Sequence, residues 1–179
     1  MTGRAEVLAM TRSIRILAIC ALLAACIPAA HAALPAPVTL DGISGATPGM
    51  TAAQLSSRWG VKLEPEAMAG SDCSAAAFLR KGVAGYAIFL NDRFGAVFFR
   101  KGVRTPAGIS IGSTRKALKA AYGTRLRSRP NKYAPGARDY FLRRKMTPRW
   151  QLRFDVAESG KVVQIAFGDK SVELVEGCA

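Results

Sequence analysis

The sequence predicts an α+β protein built from two tandem helix-plus-antiparallel-sheet repeats behind an N-terminal export leader. Three observations carry this. Residues 49–63, GMTAAQLSSRWGVKL, return at 112–126 as GSTRKALKAAYGTRL, so that Gly49, Thr51, Leu55, Trp59, Gly60 and Leu63 answer to Gly112, Thr114, Leu118, Tyr122, Gly123 and Leu126. Each copy is followed by short runs of β-forming residues separated by polar or Gly-containing turns. The long crossover helices that a parallel sheet requires are missing, so the strands are expected to pair antiparallel, with the helices packed on one face.

The chain divides into a leader at 1–32, a spacer at 33–37, a first repeat at 38–103 and a second at 104–179. In the leader, Arg12 and Arg15 adjoin an apolar run over 14–27 that is too short and Ala-rich for a membrane span. Met10 is a possible start, because the leader is complete without the residues before it. Two processing routes stay open. Ala30-His31-Ala32 is a small-x-small cleavage site that makes Ala33 the first mature residue. Leu23-Ala24-Ala25-Cys26 instead resembles the bacterial lipobox, which would leave a lipidated Cys26 at the terminus of an outer-membrane lipoprotein. Cleavage after Ala32 leaves one ordinary domain with no transmembrane helix expected, periplasmic or secreted. The whole chain carries +14; the leader's three basic residues and one acid take the mature charge to +12. Cys73 and Cys178 are then the remaining pair, which in an exported chain reads as one disulfide tying the C-terminus to the first repeat. Closing a loop of that length contributes up to ~4–5 kcal/mol in the chain-entropy model.

Residues 38–44 can start a strand. Thr51 caps the first helix with a capping box through Gln54; Ala52, Leu55 and Trp59 share its buried face and Gly60 stops it. Residues 64–72 read as a loop. Strands are expected at 74–79, 83–90 and 93–100, the last two joined by an Asn91-Asp92 hairpin turn. In the second repeat Ser113 or Thr114 caps a helix that buries Ala117, Leu118, Ala121 and Tyr122 and turns Arg115, Lys116 and Lys119 outward. Residues 125–138, basic and broken by Pro and Gly, read as an exposed loop. Further strands are expected at 139–144, 150–157 and 162–167, and a short piece at 171–175. Along 149–155, RWQLRFD, alternation puts Trp150, Leu152 and Phe154 in the core and exposes Arg149 and Arg153 together.

The chemistry these residues offer is restricted. The only histidine, His31, lies in the leader. The mature chain therefore has no His for a Ser-His-Asp or Cys-His site, and most transition-metal sites lose their commonest ligand. Neither a P-loop nor a dinucleotide fingerprint occurs. Glu64 and Glu66, and Asp169, Glu173 and Glu176, read as solvated surface acids. No catalytic residue, metal site or cofactor is expected. The positive feature is charge. Arg125, Arg127 and Arg129 cluster with Lys132 and Tyr133, while Arg143, Arg144, Lys145, Arg149 and Arg153 cluster around Trp150. Basic residues interleaved with aromatics can hold anionic groups. For an exported chain those groups are lipopolysaccharide, acidic lipid headgroups or acidic proteins; nucleic acid is not an expected partner. Ordinary two-faced strand patterning and a high basic content account for the same residues without function.

Gly49-Met50-Thr51 opening a short helix that ends on Trp59-Gly60 resembles the SmpA/OmlA small outer-membrane lipoproteins. Its tandem use with a late Cys resembles the β-lactamase-inhibitor-like fold, in which two helix-plus-sheet units sit side by side. The resemblance implies a non-enzymatic envelope protein that acts by contacting another protein through sheet or hairpin surfaces, for which Asn91 and Asp92 and the arginines above are the candidate contacts. No inhibitor motif matches residue by residue. One cysteine bridge is available rather than one per repeat, and the basic charge opposes encounter with a basic target.

Overall fold

The protein is described by a computed structural model covering residues 37–67, 71–143, 149–174 and 178. The leader, Cys26, Arg144, Lys145 and Glu176 lie outside the described residues. In chain order the elements are helix α1 (Ala52–Trp59), strands β1 (Glu66–Ala67), β2 (Cys73–Arg80), β3 (Val83–Leu90) and β4 (Arg93–Lys101), helix α2 (Arg115–Tyr122), and strands β5 (Leu126–Pro130), β6 (Arg138–Arg143), β7 (Gln151–Val156) and β8 (Val162–Gly168). All eight strands form one antiparallel sheet in the order β1-β2-β3-β4-β8-β7-β6-β5. The fold is mixed α+β. Each half of the chain runs a helix and then a four-stranded meander, and the two meanders join at a central seam where β4 pairs β8.

Local chemistry explains both helices. The Thr51 hydroxyl accepts from Gln54 N–H, and the Gln54 side chain accepts from Thr51 N–H, completing the capping box; Gly60 ends α1 at φ 60°, a left-handed conformation that a side chain would strain. Thr114 is the cap of α2. Leu55 and Trp59 of α1, and Leu118 and Tyr122 of α2, are buried, whereas Ala117 is exposed rather than part of the stripe. Arg115 is also not free on the surface, since its guanidinium donates to Ala157 O at 3.4 Å. Both helix entries attach to the start of a strand in the same way. Gly49 N–H donates to Phe94 O and Phe94 N–H to Met50 O; Gly112 N–H donates to Val162 O and Val162 N–H to Ser113 O, all at 2.7–2.8 Å.

The helices cover one face of the sheet, here called the inner face. Trp59 packs on Phe78, Phe94 and Phe99 with centroids 5.4–6.4 Å apart and donates Nε1–H to Ile43 O; Tyr122 packs on Phe154. Trp150 lies half-buried against Phe167 on this side. The Asn91-Asp92 turn has both φ angles positive, 49° and 59°, as a two-residue hairpin turn of primed type requires.

Three expectations need correction. Residues 38–44 form turns closed by isolated bridges, Thr39 to Gly42 and Ile43 to Ala46, not a strand, because Gly42 and Ser44 both take positive φ. The 64–72 loop contains β1 over Glu66 and Ala67. The loop expected over 125–138 contains β5, the edge of the sheet. Asn131 N–H bonds Ala137 O, so in this register the bonded pairs are Arg129 with Asp139 and Arg127 with Phe141. Leu126, Ser128 and Pro130 then turn their backbone outward, and Pro130 stands where its missing N–H leaves no ladder bond unmade.

Candidate binding face on the outer side of the sheet

The outer face is covered in part by the chain's own C-terminal segment. After β8, Asp169 accepts from Ser171 N–H and Oγ–H, setting a 3-10 turn over Lys170–Glu173. Val172 buries fully among Ile88, Ala96, Phe98 and Ala166. Gly95 permits this approach, because a Cβ there would collide with Ser171 Oγ. Beyond this strap, Cys178 is bonded to Cys73 on β2 with Cα atoms 5.3 Å apart. The expected disulfide is therefore present, and it crosses from the second half of the sheet to the first. A disulfide of this kind fits an exported protein.

Beside the strap lies a polar network carried by β5, β6 and β7. Asp139 and Asp155 are directly opposed across β6 and β7. Arg153 lies between them, 3% exposed: Nε donates to Asp155 Oδ1 at 2.6 Å, Nη2 lies 3.5 Å from Asp139 Oδ2, and Nη1 donates to Val172 O at 2.9 Å. Asp139 Oδ1 accepts from Asn131 at 2.8 Å, while its buried Oδ2 has Arg129 Nε at 3.5 Å and no hydrogen bond. Glu173 accepts from Arg143 at 2.7 Å, from Gln151 at 3.0 Å and from Arg129 at 3.3 Å.

These contacts correct the sequence reading. Alternation along β7 places Arg153 on the face opposite the core as expected, but that face is covered, so Arg153 is buried rather than exposed with Arg149. Glu173 is an ion-paired clasp, not a solvated acid, and Asp169 is a cap. Arg129 and Arg143 are spent on Glu173, and Arg129 also lies over the Phe141 ring. Arg125, Arg127 and Arg149 are exposed; Arg125 stacks on Tyr122 and Arg149 on Trp150. Among the described residues of the two clusters, Arg129, Arg143 and Arg153 are thus held by the chain's own acids rather than left open. Asn91 and Asp92 stand exposed at a hairpin tip beside an open recess lined by Asp72 and Cys73, away from this network.

Val172 covers the seam at Ala96, Phe98 and Ala166, and what the strap leaves open is the end of the outer face beyond it, from Leu79 and Tyr86 to Arg100 and Gln164. Tyr86, half-buried on β3, stacks flat on Phe98 of β4 with centroids 4.9 Å apart, and the Arg100 guanidinium lies 5.6 Å from its ring centre. Its hydroxyl reaches across β4 to the Gln164 side chain of β8, whose register partner on β7 is Asp155. Leu79 on β2, 77% exposed, and the exposed Ala77 continue the surface on the first half. Burial pushes the Asp155 carboxyl up to about 6, with Asp139 adding and Arg153 opposing. Burial also raises the Tyr86 hydroxyl, against the pull of Arg100. Glu173 is held below the usual carboxylate range by its Gln151 hydrogen bond and by Arg143 and Arg129. Tyr86, Gln164 and Asp155 were not singled out from sequence. Among the described residues no three His, Cys, Asp or Glu side chains converge on one point, and no helix is long and apolar enough to cross a membrane.

The sequence matches no protein-family profile and no curated protein. Three solved structures align with the chain at low identity. A cysteine-rich secretory protein from Staphylococcus aureus aligns with TM-score 0.48 and 11% identity over 76% of this chain and 49% of its own. A DUF4309-family protein from Bacillus subtilis aligns with TM-score 0.47 and 16% identity over 67% and 78%. An extracellular SCP-domain protein from Bacillus anthracis aligns with TM-score 0.47 and 10% identity over 72% and 46%. The chain spans about half the length of the first and third.

Proposed function

We propose that this is an exported, non-catalytic cell-envelope protein that binds another envelope protein through the outer face of its sheet. The observation that supports it best is the uncovered end of the outer face, where Leu79 is 77% exposed on the same side as half-buried Tyr86, which rests on the buried Phe98 ring, and exposed Arg100. An aromatic and an arginine held rigidly beside exposed apolar surface are the residue types that dominate binding energy at interfaces. The tandem plan resembling SmpA/OmlA and β-lactamase-inhibitor-like proteins motivates the same reading, with a soluble periplasmic or secreted form preferred and a Cys26-anchored lipoprotein as the alternative. A second reading, attachment to lipopolysaccharide or acidic lipid, keeps Arg125, Arg127 and Arg149, which are exposed.

The two readings separate by charge reversal. Under the first, Leu79→Asp with Arg100→Glu abolishes capture of the protein partner from envelope extract, and reversing Arg125, Arg127 and Arg149 leaves it intact. The opposite pattern, with vesicle binding lost steeply as salt rises, supports the second and contradicts the first.

A further inference from the structure

We propose that the open end of the seam, around Tyr86, Arg100 and Gln164, accepts an acidic segment of the partner, and that Asp155 switches this acceptance with pH, repelling the segment when charged and admitting it when protonated. The proposal rests on the outer face being the docking surface. Charge complementarity identifies the occupant. Arg100 and Lys101 are exposed at the seam, and Arg100 makes no salt bridge among the described residues. The chain as a whole is strongly basic at +14, so a second copy would bring like charge against Arg100, whereas an acidic segment is steered toward it.

The position of Asp155 makes it the group that decides. It faces Arg153 on its own strand, Asp139 and Arg129 from β6 and β5, Gln164 from β8 and Tyr86 from β3, with Arg100 of β4 lying over that same Tyr86 ring. Arg153 is already divided between Asp155, Asp139 and the strap carbonyl of Val172. It cannot move to neutralise an incoming acid, and the net charge beside Tyr86 is therefore set by whether Asp155 holds its proton. The carboxyl titrates near 6, so the seam gains one positive charge relative to its neutral-pH state as the medium becomes mildly acidic. The ordinary aspartates of a partner, with pKa about 3.9, stay charged in that window.

The test uses the mature protein and a fluorescein-labelled peptide of alternating aspartate and tyrosine, followed by anisotropy at about pH 7.5 and about pH 5 at fixed ionic strength. One charge removed within a few residues of the binding point predicts binding on the order of five times tighter at the lower pH. Asp155→Asn binds at both pH values as the parent does at the lower one. A parent whose affinity is flat across this range, or an Asp155→Asn protein that keeps the full pH dependence, overturns the switch. Failure of the face itself reads differently: Arg100→Glu then binds the peptide as well as the parent at both pH values, or the parent does not bind at all. The Tyr86 ring resonances, followed by NMR without peptide, provide an independent arm. They are expected to titrate near 6 in the parent and not in Asp155→Asn, and a parent without that titration overturns the assignment of the switch to Asp155.

Discussion

At the scale of single residues, Asp155 and Arg153 carry consequences that the rest of the surface does not. Asp155 is buried opposite a second carboxylate, and its pKa rises from the ordinary 3.8 to about 6. A carboxyl that holds its proton more tightly folded than unfolded contributes stability below its unfolded pKa, and that contribution is lost as pH rises through about 6. Urea midpoints of the protein should therefore increase as pH falls from about 7 toward about 4.5, and Asp155→Asn should remove this slope. A slope unchanged by the substitution contradicts the assignment. Glu173 acts with the opposite sign. Its lowered pKa gives stability that is present above the ordinary carboxylate range and lost as pH falls through the lowered value. Arg153→Ala leaves Asp155 without its ion-pair partner and Val172 O without its donor. Removing one member of a buried pair costs about 3–5 kcal/mol, to be read from denaturant melts; a loss under about 1 kcal/mol would show that water compensates the site.

At the scale of elements, the strap fixes how much of the outer face stays open. Cys178→Ser removes a crosslink between residues 105 apart, and loss of such a bridge typically costs ~2–5 kcal/mol. Gly95→Ala pushes on Ser171 directly. Both changes are expected to speed amide exchange in β4 around Ala96 and Phe98, beneath Val172, while β6 keeps its protection; uniform loss of protection would mean that the strap is not a separate clamp. The elements also show what could be read from sequence. Thr51, Leu55, Trp59 and Gly60 mark α1 because cap, stripe and stop are local features, and the bridge between Cys73 and Cys178 follows from how few cysteines the mature chain keeps. β5 was missed because an edge strand reading LRSRP buries almost nothing and so has no apolar period to detect. Arg153 was misplaced for a different reason. Alternation assigns it to the correct face, but what covers that face is a tail whose position is set by Val172, Glu173 and a distant cysteine. The Tyr86–Gln164 contact likewise depends on how β4 and β8 meet, and no local pattern encodes that.

At the scale of the molecule, two meanders share one sheet, with helices on the inner face and a partial cover on the outer. The inner face is consumed by the core. The outer face is divided between a covered region, where the strap lies on the seam and arginines meet the chain's own acids, and the open end beyond it around Leu79, Tyr86 and Arg100. This division changes the meaning of the basic composition. Arg129, Arg143 and Arg153 serve the fold, and the charge free to attract a partner lies on Arg100 and Lys101 at the seam and on scattered peripheral residues. The central claim is that the partner sits on this open end. The most direct measurement places a photo-crosslinking amino acid at Leu79 and, separately, at Lys119 on the exposed side of α2, followed by irradiation of intact cells. The account predicts a discrete adduct with one envelope protein from Leu79, lost with Arg100→Glu, and none from Lys119. Equal adducts from both positions, or an adduct from Lys119 alone, would contradict it.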